Sequence, residues 1–132
     1  MLKSITLTTT DYPTLQAHLA RALNANPKNR DVWKRLHDEL DRAVLLPGEL
    51  ISRDVVRVGS TFTVRDLDSD ELDTFTLVWP EQSDVDRGRI SVLTPLGTAV
   101  IGFAQGDEID WEMPRGLRRL RLETVNPGPA AS

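Results

Sequence analysis

The stretch Arg89-Ile-Ser-Val-Leu-Thr-Pro-Leu-Gly-Thr-Ala-Val-Ile-Gly-Phe-Ala-Gln-Gly-Asp-Glu-Ile-Asp-Trp111 constrains this chain more than any other. Ile90, Val92 and Leu93 are strand formers, bounded by Asp86-Arg87-Gly88 before them and by Pro95 after. Pro95 has no amide hydrogen, so it ends the strand and suits the first turn of a helix, where an amide would go unpaired. The short helix that follows carries Leu96, Ala99, Val100 and Ile101 and stops at Gly102, which can take the left-handed cap conformation. Gln105-Gly106-Asp107 makes a turn, and Glu108 to Met113 alternates acidic and apolar residues with the period of a strand. A strand, a buried helix, a glycine stop and a second strand predict the centre of an α+β core.

Ahead of this block the period is helical. Lys3-Ser-Ile-Thr-Leu-Thr-Thr9 is polar and β-branched and is expected to lie extended. Thr10 or Asp11 can cap a helix with Pro13 in its first turn, and Leu15, Leu19 and Leu23 give it one apolar stripe through about Leu23. Asn24-Ala-Asn-Pro-Lys-Asn29 breaks it. Asn29 can cap a second helix in which Trp33, Leu36, Leu40 and Val44 form a stripe and Pro47-Gly48 closes the end. Two such helices read as an antiparallel hairpin, an N-terminal arm over residues 1–48. Each has one apolar face, which must pack on the other helix, on the body or on another chain. Trp33, near the loop, is expected to plug the seam between the helices, with a partner-facing role as the alternative.

The body, residues 49–126, has period 2. Val56, Val58, Phe62 and Val64 alternate, with Gly59-Ser60 as a bulge or bend. Asp66-Leu-Asp-Ser-Asp-Glu71 is a turn, and Asp73 to Trp79 a strand with Phe75, Leu77 and Trp79 on one face. Pro80 to Gly88 is an acidic loop; Asp84 and Asp86 have no further ligand at a defined spacing, which favours a solvated loop over a metal site. In the last hairpin an Arg115-Gly116 turn would set Trp111 against Leu120, Ile109 against Leu122, Glu112 against Arg119 and Asp110 against Arg121. A slip by one residue would ruin both faces. Asn126-Pro-Gly-Pro-Ala-Ala-Ser132 is expected to be a disordered tail over residues 127–132.

The chemistry on offer is sparse. No cysteine is present among the 132 residues, so disulfides and thiolate ligands are excluded. His18 and His37 fall on separate helices with no triad pattern. Gly97, Gly102 and Gly106 punctuate helix and turn and lack the Lys-Ser/Thr of a phosphate loop. Asp38, Glu39 and Asp41 lie within helical reach of Arg35 and Arg42, which reads as a solvated, salt-bridged face. The net charge of −4 weighs against nucleic-acid binding. Residues 1–47 hold seven Lys/Arg against five Asp/Glu and residues 48–132 nine against fifteen, a solvated asymmetry or an arm and a body facing different partners. With no apolar leader or membrane-length run, a cytoplasmic location is the expectation.

A family resemblance adds to this reading. Leu40-Asp-Arg-Ala43, Asp54-Val-Val56, Leu77-Val-Trp-Pro80, Ile90-Ser-Val-Leu-Thr-Pro-Leu-Gly-Thr-Ala-Val-Ile-Gly102 and Gly106-Asp-Glu-Ile-Asp-Trp-Glu-Met-Pro114 carry it across about residues 35–125. In combination they resemble the regulators of nucleoside diphosphate kinase, relatives of the bacterial Gre transcript-cleavage factors. The resemblance implies a short coiled-coil arm and an FKBP-like antiparallel β-sheet body with one short helix. It also implies docking on RNA polymerase, with Leu93, Thr94, Pro95 and Gly97 as the docking block. Pro95 keeps the family pattern, Thr94 replaces the usual serine and Leu93 stands where some relatives have an acid. Leu93 and Pro95 have a second role open to them, as part of the core.

The arm tip, with Asn26, Lys28, Arg30 and Asp31, offers a single carboxylate, whereas Gre cleavage factors hold a magnesium ion with acids at the tip of a longer finger. The expectation is a non-enzymatic regulator that binds polymerase near the secondary channel, possesses no metal or other cofactor, competes with Gre factors and does not stimulate cleavage. Nucleoside diphosphate kinase is the alternative partner, and a monomer or weak homodimer is expected. An FKBP-like prolyl isomerase is the remaining rival, disfavoured because such pockets are lined by many aromatics and this chain has three Trp, three Phe and one Tyr.

Overall fold

A computed structural model describes residues 4–25, 30–113 and 116–126. The chain divides into two compact units, residues 1–51 and 52–132. The expected tail, the helix-capping role of Asn29 and the tip residues Asn26 and Lys28 lie outside the described residues.

The first unit runs β1 (Thr6–Thr8), α1 (Asp11–Ala25), α2 (Arg30–Leu40) and β2 (Val44–Leu46). The extended N-terminal segment expected from its β-branched residues is β1. At the helix start, Asp11 N–H donates to Thr8 Oγ1 at 2.9 Å. Leu15, Leu19, Trp33, Leu36 and Leu40 are buried, Trp33 at 6% exposure, while Leu23 at the end of the first stripe is half-buried. Each such side chain contributes roughly 1.5–3 kcal/mol when fully buried.

The second helix is shorter than its stripe suggested. It ends at Leu40, where Arg42 N and Ala43 N donate to the carbonyls of Glu39 and Leu40 at 3.1 and 3.3 Å and tighten the last turn. The Tyr12 hydroxyl also donates to the Leu40 carbonyl at 3.3 Å. Val44, placed on the helix by the four-residue spacing, instead opens β2 and is 47% exposed. β2 pairs in parallel with β1, Val44 N donating to Ile5 O at 2.8 Å and Thr9 N to Leu46 O at 3.0 Å. A β-branched residue in the apolar run Val44-Leu-Leu46 is better accommodated beside a waiting strand than in one more helical turn.

The second unit contains β3 (Thr61–Asp66), β4 (Leu72–Val78), β5 (Arg89–Ser91), α3 (Pro95–Val100), β6 (Glu108–Met113) and β7 (Gly116–Asn126). The sheet order is β5-β4-β3-β7-β6. The molecule is thus α+β, two helices followed by a β domain, as its sequence predicts. Its sheet is mixed, however: β5 runs parallel to β4, because residues 79–88 form a connection long enough to bring the chain back to the start of β4's second half. Val56 and Val58 precede the strand, and Gly59 (φ 98°) with Ser60 makes the turn into it, Ser60 N donating to Arg57 O at 2.9 Å. β4 stops at Val78, before Trp79, and β5 at Ser91, before Val92 and Leu93.

One bulge organises the buried face. Thr63 pairs with Thr124 and Val64 with Leu122, which leaves Glu123 as an extra residue on β7. The bulge resets the alternation of β7, so Val125 joins Leu120 and Leu122 inside, at 6%, 2% and 0% exposure. Phe62, Val64, Leu77, Ile90 and Ile109 complete that face, and Leu96, Val100 and Ile101 of the α3 segment are buried with them. On the opposite face Thr61 and Thr76 share a hydroxyl hydrogen bond of 2.9 Å, and Thr63 and Thr74 one of 2.8 Å.

The final hairpin pairs two residues away from the register anticipated for an Arg115-Gly116 turn. Ile109 faces Leu120, Asp110 faces Arg119, Glu108 faces Arg121 and Trp111 faces Arg118. The pair closest to the hairpin end is Met113 with Gly116. A shift of two keeps every side chain on its own face, so face alternation could not separate the two registers, and the observed one sets Trp111 against Arg118. Trp111, expected against Leu120, is left with its buried indole Nε1 unbonded.

Candidate functional site

The segment Ser91 to Gly97 is a closed hydrogen-bonded turn built on the end of β5. Ser91 is 7% exposed, and its side-chain Oγ accepts from Leu93 N at 3.0 Å. Its carbonyl accepts twice from Thr94, from the amide at 3.0 Å and from the hydroxyl at 2.7 Å. The Thr94 hydroxyl in turn accepts from Gly97 N at 3.0 Å and so caps α3. Pro95, at the first helical position, needs no partner for an amide it lacks. Thr98 N then donates to Thr94 O at 2.9 Å, and its hydroxyl to Pro95 O at 2.9 Å.

Gly97 has to be glycine here. A Cβ at this position would collide with the Ser91 carbonyl oxygen and lie 3.1 Å from Val92 Cα, both backbone atoms with little room to yield. The helix start therefore approaches the strand end more closely than any side chain allows. Gly102 ends the segment with φ 83°. It is tied to the strand entry, Gly102 N donating to Val56 O at 2.9 Å and Val56 N to Phe103 O at 2.8 Å.

Four residues named from the sequence as a docking block, Leu93, Thr94, Pro95 and Gly97, thus come together in one turn. Leu93, Thr94 and Pro95 are half-buried and present part of their surface, while Gly97 is buried and works as structure. The chain alone did not single out Ser91, although a serine three residues ahead of Thr94-Pro95 at a strand end is the signal for such a side-chain-to-backbone turn. Arg30 and Asp31, the described residues of the arm tip, are both exposed at the start of α2.

The acidic helix face holds one departure from a solvated surface. Arg35 Nε lies 3.6 Å from Glu39 Oε1, but the Glu39 side chain is only 13% exposed. Burial pushes its carboxyl above the ordinary carboxylate value, against the opposing pull of Arg35 and Arg42. In the Asp66–Glu71 turn the reverse holds: Asp66 Oδ1 accepts from Asp68 N at 2.9 Å and Ser69 N at 3.2 Å, and those bonds hold its carboxyl below the ordinary value. Among the described residues no group of three His, Asp or Glu is placed to hold a metal ion, and no helix is long and apolar enough to cross a membrane.

A capped turn on a mixed sheet, with a helical unit preceding it in the chain, defines an α+β protein. The family model described as "Transcription elongation factor, GreA/GreB, C-term" matches residues 51–127, and the chain belongs to that family. It is 38% identical over 95 residues to transcription elongation factor GreA of Rhodospirillum rubrum, covering 72% of this chain and 60% of that protein. With GreA of Desulfovibrio desulfuricans it shares 41% over 77 residues, 58% of this chain and 46% of the other. The chain therefore spans about half of each of these relatives. Among solved structures, a prokaryotic transcription elongation factor GreA/GreB from Nitrosomonas europaea superposes with TM-score 0.74 and 35% identity, covering 95% of this chain and 99% of that one. GreA factor homolog 1 of Thermus thermophilus gives TM-score 0.51 at 25% identity, with 94% and 99% covered.

Proposed function

We propose that this protein is a non-enzymatic regulator of transcription that binds RNA polymerase in the secondary-channel region and does not stimulate transcript cleavage. The observation that carries the reading is the Ser91–Gly97 turn, which holds Leu93, Thr94 and Pro95 as a preformed ridge in the part of the chain that matches the GreA/GreB family. Elongation factors named GreA or GreB among its relatives supply the partner class. The arm supports the second half of the reading. α1 has 15 residues and α2 has 11, so at about 1.5 Å per residue neither reaches much beyond roughly 22 Å. Asp31 is the one carboxylate in the sequence between Asn24 and Asp31, which also holds Lys28 and Arg30, and a magnesium ion needs several oxygen ligands.

Within the wider family the sequence resemblance favours the regulators of nucleoside diphosphate kinase, and competition with Gre factors for one polymerase site is the mode of action proposed. Core RNA polymerase should capture the protein, and excess Gre factor or Pro95→Ala should release it. Purified stalled elongation complexes should show no added transcript cleavage. Capture by nucleoside diphosphate kinase in place of polymerase would overturn the reading, as would stimulated cleavage.

A further inference from the structure

The Leu93–Pro95 ridge owes its shape to a residue that does not itself belong to the ridge. We propose that Ser91 is the positioning residue of the docking turn, fixing Leu93 through its side-chain oxygen and Thr94 through its carbonyl. This rests on the polymerase-docking reading above and names the element that makes that site rigid.

Ser91 is 7% exposed, so a partner has little access to it. Its Oγ accepts from the Leu93 amide at 3.0 Å, and its carbonyl accepts from the Thr94 amide and hydroxyl at 3.0 and 2.7 Å. The Thr94 hydroxyl, its one proton committed to Ser91, accepts from Gly97 N at 3.0 Å. A chain of donors therefore runs from the helix start, through Thr94, back to the strand end. Pro95 carries no amide, so the backbone donors of residues 93 to 95 are all turned inward.

What the ridge offers a partner is the accessible part of the half-buried Leu93, Thr94 and Pro95, on a backbone that need not reorganise. Preorganisation of this kind raises affinity by removing the ordering cost of binding. Serine suits the position because its γ-oxygen reaches the amide two residues on, the pattern of a side-chain-capped turn.

Removing the γ-oxygen by Ser91→Ala should weaken polymerase binding about tenfold, the loss of one ordinary hydrogen bond that holds a contact residue. The unfolding midpoint should stay near that of the wild type. In the free protein, hydrogen exchange followed by NMR should accelerate selectively at the Leu93 amide, with the amides of β4 and β7 unchanged. Ser91→Thr, which keeps the γ-oxygen, should restore both the affinity and the slow Leu93 exchange.

Wild-type binding by Ser91→Ala would overturn the proposal. So would accelerated exchange spread evenly over the sheet, which would mark Ser91 as a general stability residue. Failure of the wild type itself to bind polymerase would remove the docking reading and the docking role of Ser91 with it. The Leu93 exchange rate would still report whether Ser91 holds the turn.

Discussion

Glu123 Oε1 lies 2.8 Å from Arg65 Nε across the β3–β7 ladder, and Glu123 is the residue that the β7 bulge leaves unpaired. Arg65 and Arg121 stand directly opposite each other, a destabilising pairing of like charges, and Arg121 Nη1 is 3.6 Å from the same carboxylate oxygen. Asp70 and Glu108 extend the row, at 3.1 Å from Arg65 and 3.5 Å from Arg121. The bulge thus aligns the buried face and also delivers the carboxylate that lets two arginines face each other.

Glu123→Gln should therefore lower the thermal midpoint by more than an isolated surface ion pair would. The difference from wild type should shrink between about 0.05 M and about 1 M salt, as screening weakens the arginine repulsion that the mutation uncovers. A difference that ignores salt would mean that Glu123 acts through backbone geometry alone.

Gly97→Ala should destabilise the protein by about 2–3 kcal/mol, the upper range for overpacking, because the new methyl meets Ser91 and Val92 backbone atoms. Thr94→Ala removes the cap and the hydroxyl bond to the Ser91 carbonyl, and should cost about 1–2 kcal/mol. Chemical denaturation of both variants checks the order; a milder effect at Gly97 than at Thr94 would contradict the close approach described.

Two carboxylates should give opposite pH dependences. Burial raises Glu39, so the folded state holds its proton more tightly than the unfolded chain. That contribution is present at pH below the ordinary carboxylate value and is lost as pH rises through the raised value. Glu39→Gln should gain on the wild type over this window. The Asp68 amide bond leads in lowering Asp66, so its contribution is present above the ordinary value and is lost as pH falls through the lowered one. Asp66→Asn should lag at neutral pH and converge with wild type in acid. Denaturation midpoints across the acidic range, read for each variant against wild type, test both signs.

In the last hairpin, double-mutant cycles should find coupling of about 0.2–1 kcal/mol between Asp110 and Arg119, whose closest charged atoms are 3.8 Å apart. Glu108 and Arg121, at 3.5 Å, should couple similarly. Coupling of Asp110 to Arg121 in place of Arg119 would restore the register that an Arg115-Gly116 turn implies.

The Ser91–Gly97 turn was the most legible part of the chain. Pro95 at the helix start and the left-handed Gly102 after its end act over a few residues, where backbone sterics and missing amides decide the outcome, and both hold the place anticipated for them, whereas the Thr94 cap emerged only from the structure. The part played by Ser91 was hidden, because a serine at a strand end is ordinary until the turn folds back onto it. The α2–β2 boundary was misread because Leu36, Leu40 and Val44 continue a helical spacing by coincidence, and only the nearby β1 offers Val44 a better partner.

The sequence by itself determined most of the helical and extended segments, which of their faces are apolar, and where proline and glycine punctuate them. These follow from local sterics and from a periodicity that each segment carries within itself. Tertiary structure alone decided that β5 runs parallel to β4, that Glu123 bulges, and that the final hairpin pairs Ile109 with Leu120. Each of these is a choice among alternatives with the same local pattern, and a two-residue slip leaves every face unchanged. Such choices are settled by long-range packing, in which Val125 must reach the core and two arginines must share one carboxylate.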